Sequence, residues 1–274
     1  MLGPEWQAMQ REAQLAAEQV AHGATVLGRA NHAQTGLYNQ AFFGLSIGLE
    51  RVGKLIFLAD HAIDHQGKFP SNGDLRAIGH DVVSLLDTCE RIAKRIDLKR
   101  DYAARPSDVI HIGIVEVLSL FATSLRYYNL DHLSGRGSNQ TDPIAMWWEK
   151  VASPICDRHY TTRQREQDER EAALAEEVFG RNSLVIHSSE DGKPIQSISE
   201  MCMQSRATRV VQQYGRMYVL QIIRWISSIV FELSHTGAYE RGIEALLGLH
   251  EPFAIFRNED AYLRRRKRWS IYRL

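Results

Sequence analysis

The chain has 274 residues, of which 33 are Lys or Arg and 33 are Asp or Glu, so it carries no strong overall charge. This balance argues against a protein built mainly to coat nucleic acid, but it leaves room for a local basic patch. Cys89, Cys156 and Cys202 are widely spaced and form no CxxC or Cys/His motif. Their spacing argues against a disulfide framework and a structural zinc site, and it favours a reducing cytoplasm.

The first half of the chain has helical periodicity. Its segments are rich in helix formers or place apolar residues three and four apart on one face. A loop is expected at 66–74, which contains two Gly, a Pro and an Asn. The predicted helices are 5–31, 37–65, 75–97 and a segment from Pro106 to about Tyr128. Ser107 and Asp108 suit the first turn of the last helix.

The second half combines helical segments with a single strand signal. The sequence "DRHYTTRQREQDEREAALAEE" is nearly all polar, which is typical of a solvent-exposed helix supported by charge pairs. β-branched residues flank the turn dipeptide Asp191-Gly192, which predicts a hairpin. The predicted elements are a break at 134–143, a helix at 144–179, a hairpin at 182–198 and a long buried helix at 197–235. A strongly basic segment, "YLRRRKRWSIYRL", closes the chain.

These patterns predict an all-α protein, a bundle of about five long helices with a small β-hairpin insertion. Residues 1–133 form the predicted helical core. Residues 134–274 form a helical extension that carries the hairpin and the basic tail, and we expect it to pack on the core as one globular unit.

Two apolar runs have to be tested as possible membrane spans. "VLQIIRWISSIVFEL" is interrupted by Arg224 and ends at Glu232, and "VIHIGIVEVLSLFATSL" contains His111 and Glu116. Neither has about 18–20 uninterrupted apolar residues, so both are predicted to be buried core helices. The N-terminal segment lacks the pattern of a secretory signal, and we expect no membrane association.

Several polar pairs are candidates for chemistry. His61 and His65 are four apart in "LADHAIDH", a spacing that suits a transition metal, with Asp60 and Asp64 on an adjacent face. No third ligand is evident nearby, and a solvated helix end explains these residues more simply. We therefore expect no bound metal and no cofactor.

Glu50 and Lys54 in "GLERVGK" stand in the favourable order for a helical ion pair. Such a pair is ordinarily a surface feature, and a functional role requires it to face a cleft. Gly79, His80 and Asp81 precede an apolar helix, where their role can be only structural, namely to start the helix. His80 and Asp81 can also orient each other across an interface.

An Arg is followed four to six residues later by a His in three places. These pairs are Arg105 with His111, Arg126 with His132, and Arg181 with His187. The composition alone predicts about as many pairs by chance, so the spacing does not indicate function. The position of each pair in the predicted structure must show which one is a candidate site. Arg126 and His132, in "LRYYNLDHL", lie at a helix end before a Gly-rich loop. They converge only if the chain bends near Asn129, because residues six apart on a continuous helix point in different directions.

The basic tail interleaves cations with aromatic rings, a combination that suits phosphate contact and base stacking. Alternatively, the cations favour a helix C-terminus and the rings dock on the body of the protein. The residues concerned are Arg264, Arg265, Arg266, Lys267, Arg268, Trp269, Tyr262 and Tyr272.

The segments "GLYNQAFFGLSIGLERVGKLIFLADHAI" and "GHDVVSLLD" together resemble the core of the HEPN superfamily. These are small all-α domains of prokaryotic toxins, defence proteins and some eukaryotic regulators. The resemblance covers roughly residues 36–132. It rests on Tyr38, Ala41, Glu50, Lys54, Gly79, His80 and Asp81.

The resemblance implies metal-independent RNA cleavage at a homodimer interface, by an Arg and a His four to six residues apart. Arg126 and His132 occupy the matching place, although Tyr127 departs from the polar residue that usually follows the Arg. Arg181, followed by Asn182 and paired with His187, fits this local pattern better but lies beyond the matched region. The His would exchange a proton with the ribose 2′-OH or the leaving oxygen, and the Arg would neutralise the phosphate. Asn129 or Asp131 would orient the His.

Three functions therefore stand as hypotheses. The first is a cytoplasmic HEPN-like ribonuclease of a toxin or defence system. The second is a non-catalytic module whose groove holds a nucleotide, RNA or a partner protein such as an antitoxin. The third is a metal-dependent enzyme that uses His61 and His65. The expected binding residues are Glu50, Lys54, His80, Arg264, Arg265, Arg266, Lys267 and Trp269.

Overall fold

Helices make up nearly all the regular structure of the computed structural model, which describes residues 2–99, 101–135 and 141–271. The α-helices are α1 (Pro4–Leu27), α2 (Gly36–Asp64), α3 (Asn72–Ala77), α4 (Val82–Arg95), α5 (Val109–Leu120), α6 (Tyr128–Leu133), α7 (Pro143–Trp147), α8 (Ser153–His159), α9 (Thr162–Phe179), α10 (Ile198–His235) and α11 (Asp260–Arg265). Strands β1 (His187–Ser188) and β2 (Pro194–Ile195) form one antiparallel hairpin. The predicted all-α class with a small hairpin is confirmed.

Helices α1 and α2 pack closely against each other because small residues line their contact. A Cβ atom on Gly23 would lie 2.7 Å from Cγ of Leu45, and one on Gly48 would lie 2.5 Å from Cγ1 of Val20. Buried alanines of α1 continue the same stripe. Larger side chains at these glycines would push the helices apart. The close approach brings polar residues of α1 beside those of α2.

The predicted helix 75–97 is interrupted, and this prediction was wrong in its extent. Helix α3 ends at Ala77 and α4 begins at Val82. Gly79 between them has φ +75°, a left-handed conformation that other residues rarely adopt. Asp81 caps α4 by accepting hydrogen bonds from the backbone N–H groups of Val83 and Ser84, at 3.3 and 3.1 Å. The break holds His80 in a turn.

The apolar helix predicted from Pro106 begins three residues later, at Val109. Asp108 is its N-cap and accepts a hydrogen bond from the N–H of Ile110 at 3.0 Å. The helix ends in a π-helical turn, Phe121–Leu125, and the chain then breaks at Tyr127, with φ −110° and ψ 21°. Helix α6 follows at once. The bend predicted near Asn129 therefore lies at Tyr127, and Asn129 is helical.

The segment predicted as one helix at 144–179 consists of three. A π-helical turn joins α7 to α8, and Tyr160 separates α8 from α9. Thr161 forms a capping box with Gln164 that starts α9, which explains the break. Ala172 is the only buried residue of α9, in agreement with its polar sequence.

Helix α10 is the central packing element and contacts α1, α2, α8, α9 and α11. The helical segment Ile198–Glu240 has an 18-residue window with a mean hydropathy of 1.3, enough for a membrane span by length and composition. However, 83% of that window is buried inside the protein, as predicted for a core helix. The hydrophobic core runs from Met9 to Trp269 and includes residues of both predicted segments.

Candidate functional site

A cleft of about 840 Å³ opens between α2, the turn before α4 and the π-helical end of α5. It brings together four of the predicted site residues, namely Glu50, Lys54, His80 and Arg126, together with Asp81, which the sequence also singled out. Its other lining residues are Glu12, Ile47, Arg51, Asp81, Ala122 and Thr123. A larger cavity, about 990 Å³, lies beside Trp6 and Phe69 and contains none of the predicted site residues.

Glu50 is at the centre of the polar contacts in this cleft. Its Oε1 accepts a hydrogen bond from Nζ of Lys54 at 2.8 Å and lies 2.8 Å from Nδ1 of His80. The side chains of Glu50 and Lys54 are only 19% and 20% exposed, so this pair faces the cleft rather than open solvent. The His80 side chain is 74% exposed, which leaves its Nε2 edge accessible to a ligand.

Asp81 fixes the position of the turn that carries His80. In addition to capping α4, its Oδ1 accepts a hydrogen bond from Oγ of Ser119 on α5. Burial opposes ionisation of Asp81, but the hydrogen bonds from Ser119 and Ser84 outweigh burial and lower its pKa. An ionised Asp81 thus joins α4 to α5 beside the cleft.

Arg126 contributes a positive charge that no carboxylate of the described residues neutralises. Among the described residues, no hydrogen bond or ion pair involves its guanidinium, and its Nε is buried without a partner. The guanidinium lies over the ring of Phe43, with Cζ 5.0 Å from the ring centroid. The other cations in the cleft are paired, Arg51 with Glu12 at 2.7 Å and Lys54 with Glu50. Arg126 is therefore the cation most available to an anionic ligand.

The other predicted catalytic residues lie outside the cleft. His132 is exposed on α6, with its ring stacked on Tyr128 at a centroid distance of 6.2 Å. In the described part of the chain, no hydrogen bond, ion pair or ring contact joins Arg126 to His132, and the chain break at Tyr127 lies between them. Asn129 lines a neighbouring cavity, and Asp131 is half-buried on α6.

Of the two other Arg and His pairs, Arg105 and His111 line one cavity of about 420 Å³, but both side chains already have partners in the protein. Arg105 is ion-paired with Asp87 and Glu90, at 2.6 and 3.1 Å. Nε2 of His111 lies 2.8 Å from Oε1 of Gln221, and burial lowers the pKa of His111. In the third pair, both side chains are exposed, Arg181 before the hairpin and His187 in its first strand.

The basic tail divides into buried and exposed residues. Trp269 is 5% exposed, stacks on Phe256 and donates its backbone N–H to Oγ1 of Thr25 at 2.8 Å. The ring therefore packs in the core, which fits the docking alternative and leaves no exposed ring face for base stacking at Trp269. Arg264 and Arg266 donate hydrogen bonds to the hydroxyls of Tyr214 and Tyr262. The cations that point to solvent are Arg265, Lys267 and Arg268, and Tyr272 lies outside the described residues.

His61 and His65 stack on each other, with ring centroids 3.8 Å apart and an interplanar angle of 11°. Nδ1 of His61 lies 3.0 Å from the carbonyl oxygen of Lys68, and Nδ1 of His65 lies 2.9 Å from that of His61. Within residues 2–99, 101–135 and 141–271, no group of three or more His, Cys, Asp or Glu is arranged to hold a metal ion.

Sequence reasoning missed part of the cleft although the signal was present. Ile47, Glu50, Arg51 and Lys54 follow the three- and four-residue spacing of one helical face, which predicts that Arg51 shares a face with Ile47 and Lys54. Glu12 comes from α1, and no sequence pattern links it to Arg51. Thr123 belongs to the π-helical turn, which changes the direction of α5 residues and is not visible in the sequence.

A buried carboxylate elsewhere was also missed. Glu190, at the hairpin turn, is 3% exposed and accepts hydrogen bonds from Oγ1 of Thr208 at 3.0 Å and from Gln204. The Tyr38 hydroxyl lies 3.5 Å from Glu190 and accepts a hydrogen bond from Nε1 of Trp148. Burial, and then the charge of Glu190, raises the pKa of Tyr38. These contacts anchor the hairpin to α2 and α10.

Comparisons with models of protein families, with curated proteins and with solved structures give no match for this chain. Its functional assignment therefore rests on the chemistry of the cleft. The cleft combines an imidazole beside a carboxylate with a lysine and an unpaired guanidinium. This combination can hold a phosphate and transfer a proton near it.

Proposed function

We propose that the cleft is the active site of a cytoplasmic, HEPN-like ribonuclease that cleaves RNA without a metal ion. The observation that carries this proposal is the presence of the unpaired Arg126 guanidinium in the same cleft as the Glu50–His80 pair. A guanidinium presents several N–H donors in a geometry that matches phosphate oxygens. A histidine is the side chain best suited to exchange protons near neutral pH.

In this proposal, each group has a role that its contacts support. Ionised Glu50 can only accept hydrogen bonds, so it holds the His80 tautomer with hydrogen on Nδ1 and a lone pair on Nε2. Nε2 takes the proton of a ribose 2′-OH, whose oxygen then forms a bond to phosphorus. The bond from phosphorus to the 5′-oxygen breaks, and that oxygen takes up a proton. Arg126 and Lys54 stabilise the charge on the phosphate oxygens during this exchange.

His132 has a role in this proposal only if it comes from a second copy of the chain. It is exposed on α6, close to Leu130 and Leu133, which are 63% and 82% exposed. Apolar side chains this exposed favour contact with a partner. We infer a homodimer in which His132 of one copy donates the proton to the leaving oxygen in the other. An antitoxin-like protein that covers the cleft is a further expected partner.

A cleavage assay in the presence of a chelator tests the proposal. Purified protein should cleave single-stranded RNA, and Arg126→Ala and His80→Ala should each lower kcat/KM by roughly 10²–10⁴-fold. Arg91→Ala is the control, because Arg91 is exposed on α4 and does not line the cleft. Full activity in a correctly folded Arg126→Ala protein would rule out the assignment. Full activity in His132→Ala would rule out only the proposed role of His132 from a second copy and would leave the assignment of the cleft unchanged.

One observation favours a non-catalytic binding module as the second candidate. Three acidic residues of the cleft, Glu12, Glu50 and Asp81, balance its three cations, so the cleft has no strong positive field to attract a long polyanion. A single small phosphate ligand, such as a nucleotide, suits this balance. Calorimetric binding of a nucleoside phosphate that requires Arg126, without any RNA cleavage, would favour this function.

A further inference from the structure

A second cavity, of about 330 Å³, adjoins the cleft, and Arg126 lines both. It lies between the N-terminal end of α2 and the chain break that precedes α6. Tyr127, Asn129 and Asn39 contribute side chains to its lining. Because phosphate and base belong to the same nucleotide, a cavity beside a phosphate-binding arginine is well placed to receive the base.

We propose that this second cavity binds one unpaired nucleobase of the RNA strand whose phosphate Arg126 holds. This inference rests on the proposed function and adds a subsite to it, which requires an unstacked base next to the bound phosphate. Proteins recognise single-stranded RNA by stacking splayed-out bases on aromatic rings and by hydrogen bonds to the base edges. Both kinds of group are present here.

Tyr127 supplies the stacking surface. Its side chain is 62% exposed, and the chain break at this residue keeps it outside both flanking helices. The neighbouring Tyr128 is half-buried and already stacks with His132. A base that stacks on Tyr127 therefore displaces water rather than another protein ring. Stacking of this kind tolerates any base, because every base has a π face.

Asn39 and Asn129 supply groups that can distinguish one base from another. Both are exposed, and within the described residues neither carboxamide takes part in a hydrogen bond with protein. An asparagine offers a donor and an acceptor at once, which matches the mixed edges of nucleobases. The volume of this cavity is near the lower end of the roughly 300–1,000 Å³ typical of small-molecule sites. It suits one ring system rather than a base pair.

Binding of uncleavable strands tests the subsite separately from catalysis. Fluorescence anisotropy would compare a short oligoadenylate with 2′-fluoro riboses with an abasic strand of equal length. We expect the wild-type protein to bind the base-bearing strand at least about tenfold more tightly. Tyr127→Ala should remove most of this difference, and Tyr127→Phe should keep it. Neither should change the affinity for the abasic strand. Tyr239→Ala is the control, because Tyr239 is 65% exposed elsewhere.

The outcomes separate this inference from the proposed function. Equal binding of the two strands by the wild-type protein, or an equal loss for both in Tyr127→Ala, overturns the subsite even if cleavage depends on Arg126. A Tyr127-dependent preference for the base-bearing strand supports the subsite even if Arg126→Ala leaves cleavage intact. In Asn39→Ala and Asn129→Ala we expect a changed ranking of oligoadenylate, oligocytidylate, oligoguanylate and oligouridylate. If the ranking is unchanged in both variants, Asn39 and Asn129 do not contact the base edges, and that part of the proposal is wrong.

Discussion

Glu50 and His80 are 30 residues apart in the chain, yet Oε1 of Glu50 lies 2.8 Å from Nδ1 of His80. The contact depends on the break between α3 and α4, where left-handed Gly79 turns the chain towards α2. Without this break, a continuous helix would carry His80 past the carboxylate. A local irregularity thus assembles the cleft.

Glu50→Gln should lower RNA cleavage by at least about tenfold, because the amide can present either its oxygen or its NH₂ group to Nδ1 and so no longer fixes one tautomer of His80. The pH dependence of kcat should also change, which a purely structural effect would not cause. Glu116→Gln is a matched control, since Glu116 forms an ion pair with Lys150 at 2.9 Å outside the cleft. Equal rates and equal pH profiles in wild type and Glu50→Gln would contradict the positioning role.

Asp81→Ala should reduce the free energy of unfolding by about 0.5–2 kcal/mol, because α4 loses its N-cap. Activity should fall as well, since the turn that carries His80 loses its attachment to Ser119. Thr161→Ala, which removes the N-cap of α9, should have a similar cost in stability without affecting activity. Urea unfolding and cleavage assays on both variants check this. A comparable loss of activity in both would show that destabilisation alone explains the effect.

The lowered pKa of Asp81 predicts how its contribution to stability changes with pH. The folded pKa lies below the unfolded value of about 3.9, so the charged form is stabilised by folding. This stabilisation is complete above about pH 4 and is lost as the pH falls through the folded pKa. The difference in unfolding free energy between wild type and Asp81→Asn should therefore be larger at about pH 7 than at about pH 3. A difference that stays constant over this range would refute the charge effect.

The sequence was sufficient to predict the elements whose signals are local. Helix α10 begins and ends within a residue or so of its predicted bounds, because Ser197 is an N-cap and the apolar pattern is continuous. The hairpin follows from Asp191-Gly192. The contact between Glu50 and His80 could not be predicted, because it depends on how α2 packs beside a break in another helix.

The behaviour of α6 and the tail shows a second limit of sequence reasoning. The predicted bend at Asn129 rested on the residue type, but the π-helical turn before Arg126 moved the break to Tyr127. Arg–aromatic clusters suit both RNA binding and docking on a core. The Trp269 ring is buried because it packs on Phe256 and Tyr262 and its backbone is hydrogen-bonded to Thr25 of α1, and no sequence pattern predicts these contacts.

Trp269→Ala should destabilise the protein by about 3–5 kcal/mol, because it removes a ring that is 5% exposed and packed on Phe256 and Tyr262. Lys267→Ala changes an exposed side chain and should leave the free energy of unfolding within about 0.5 kcal/mol of the wild-type value.

If the exposed tail cations contact RNA phosphates, Lys267→Ala should weaken strand binding and reduce its salt dependence by about one unit of the logarithmic slope. Thermal unfolding and anisotropy at several salt concentrations measure both effects. Loss of stability in Lys267→Ala, or its absence in Trp269→Ala, would contradict the division of the tail into a core anchor and a solvent-facing cation.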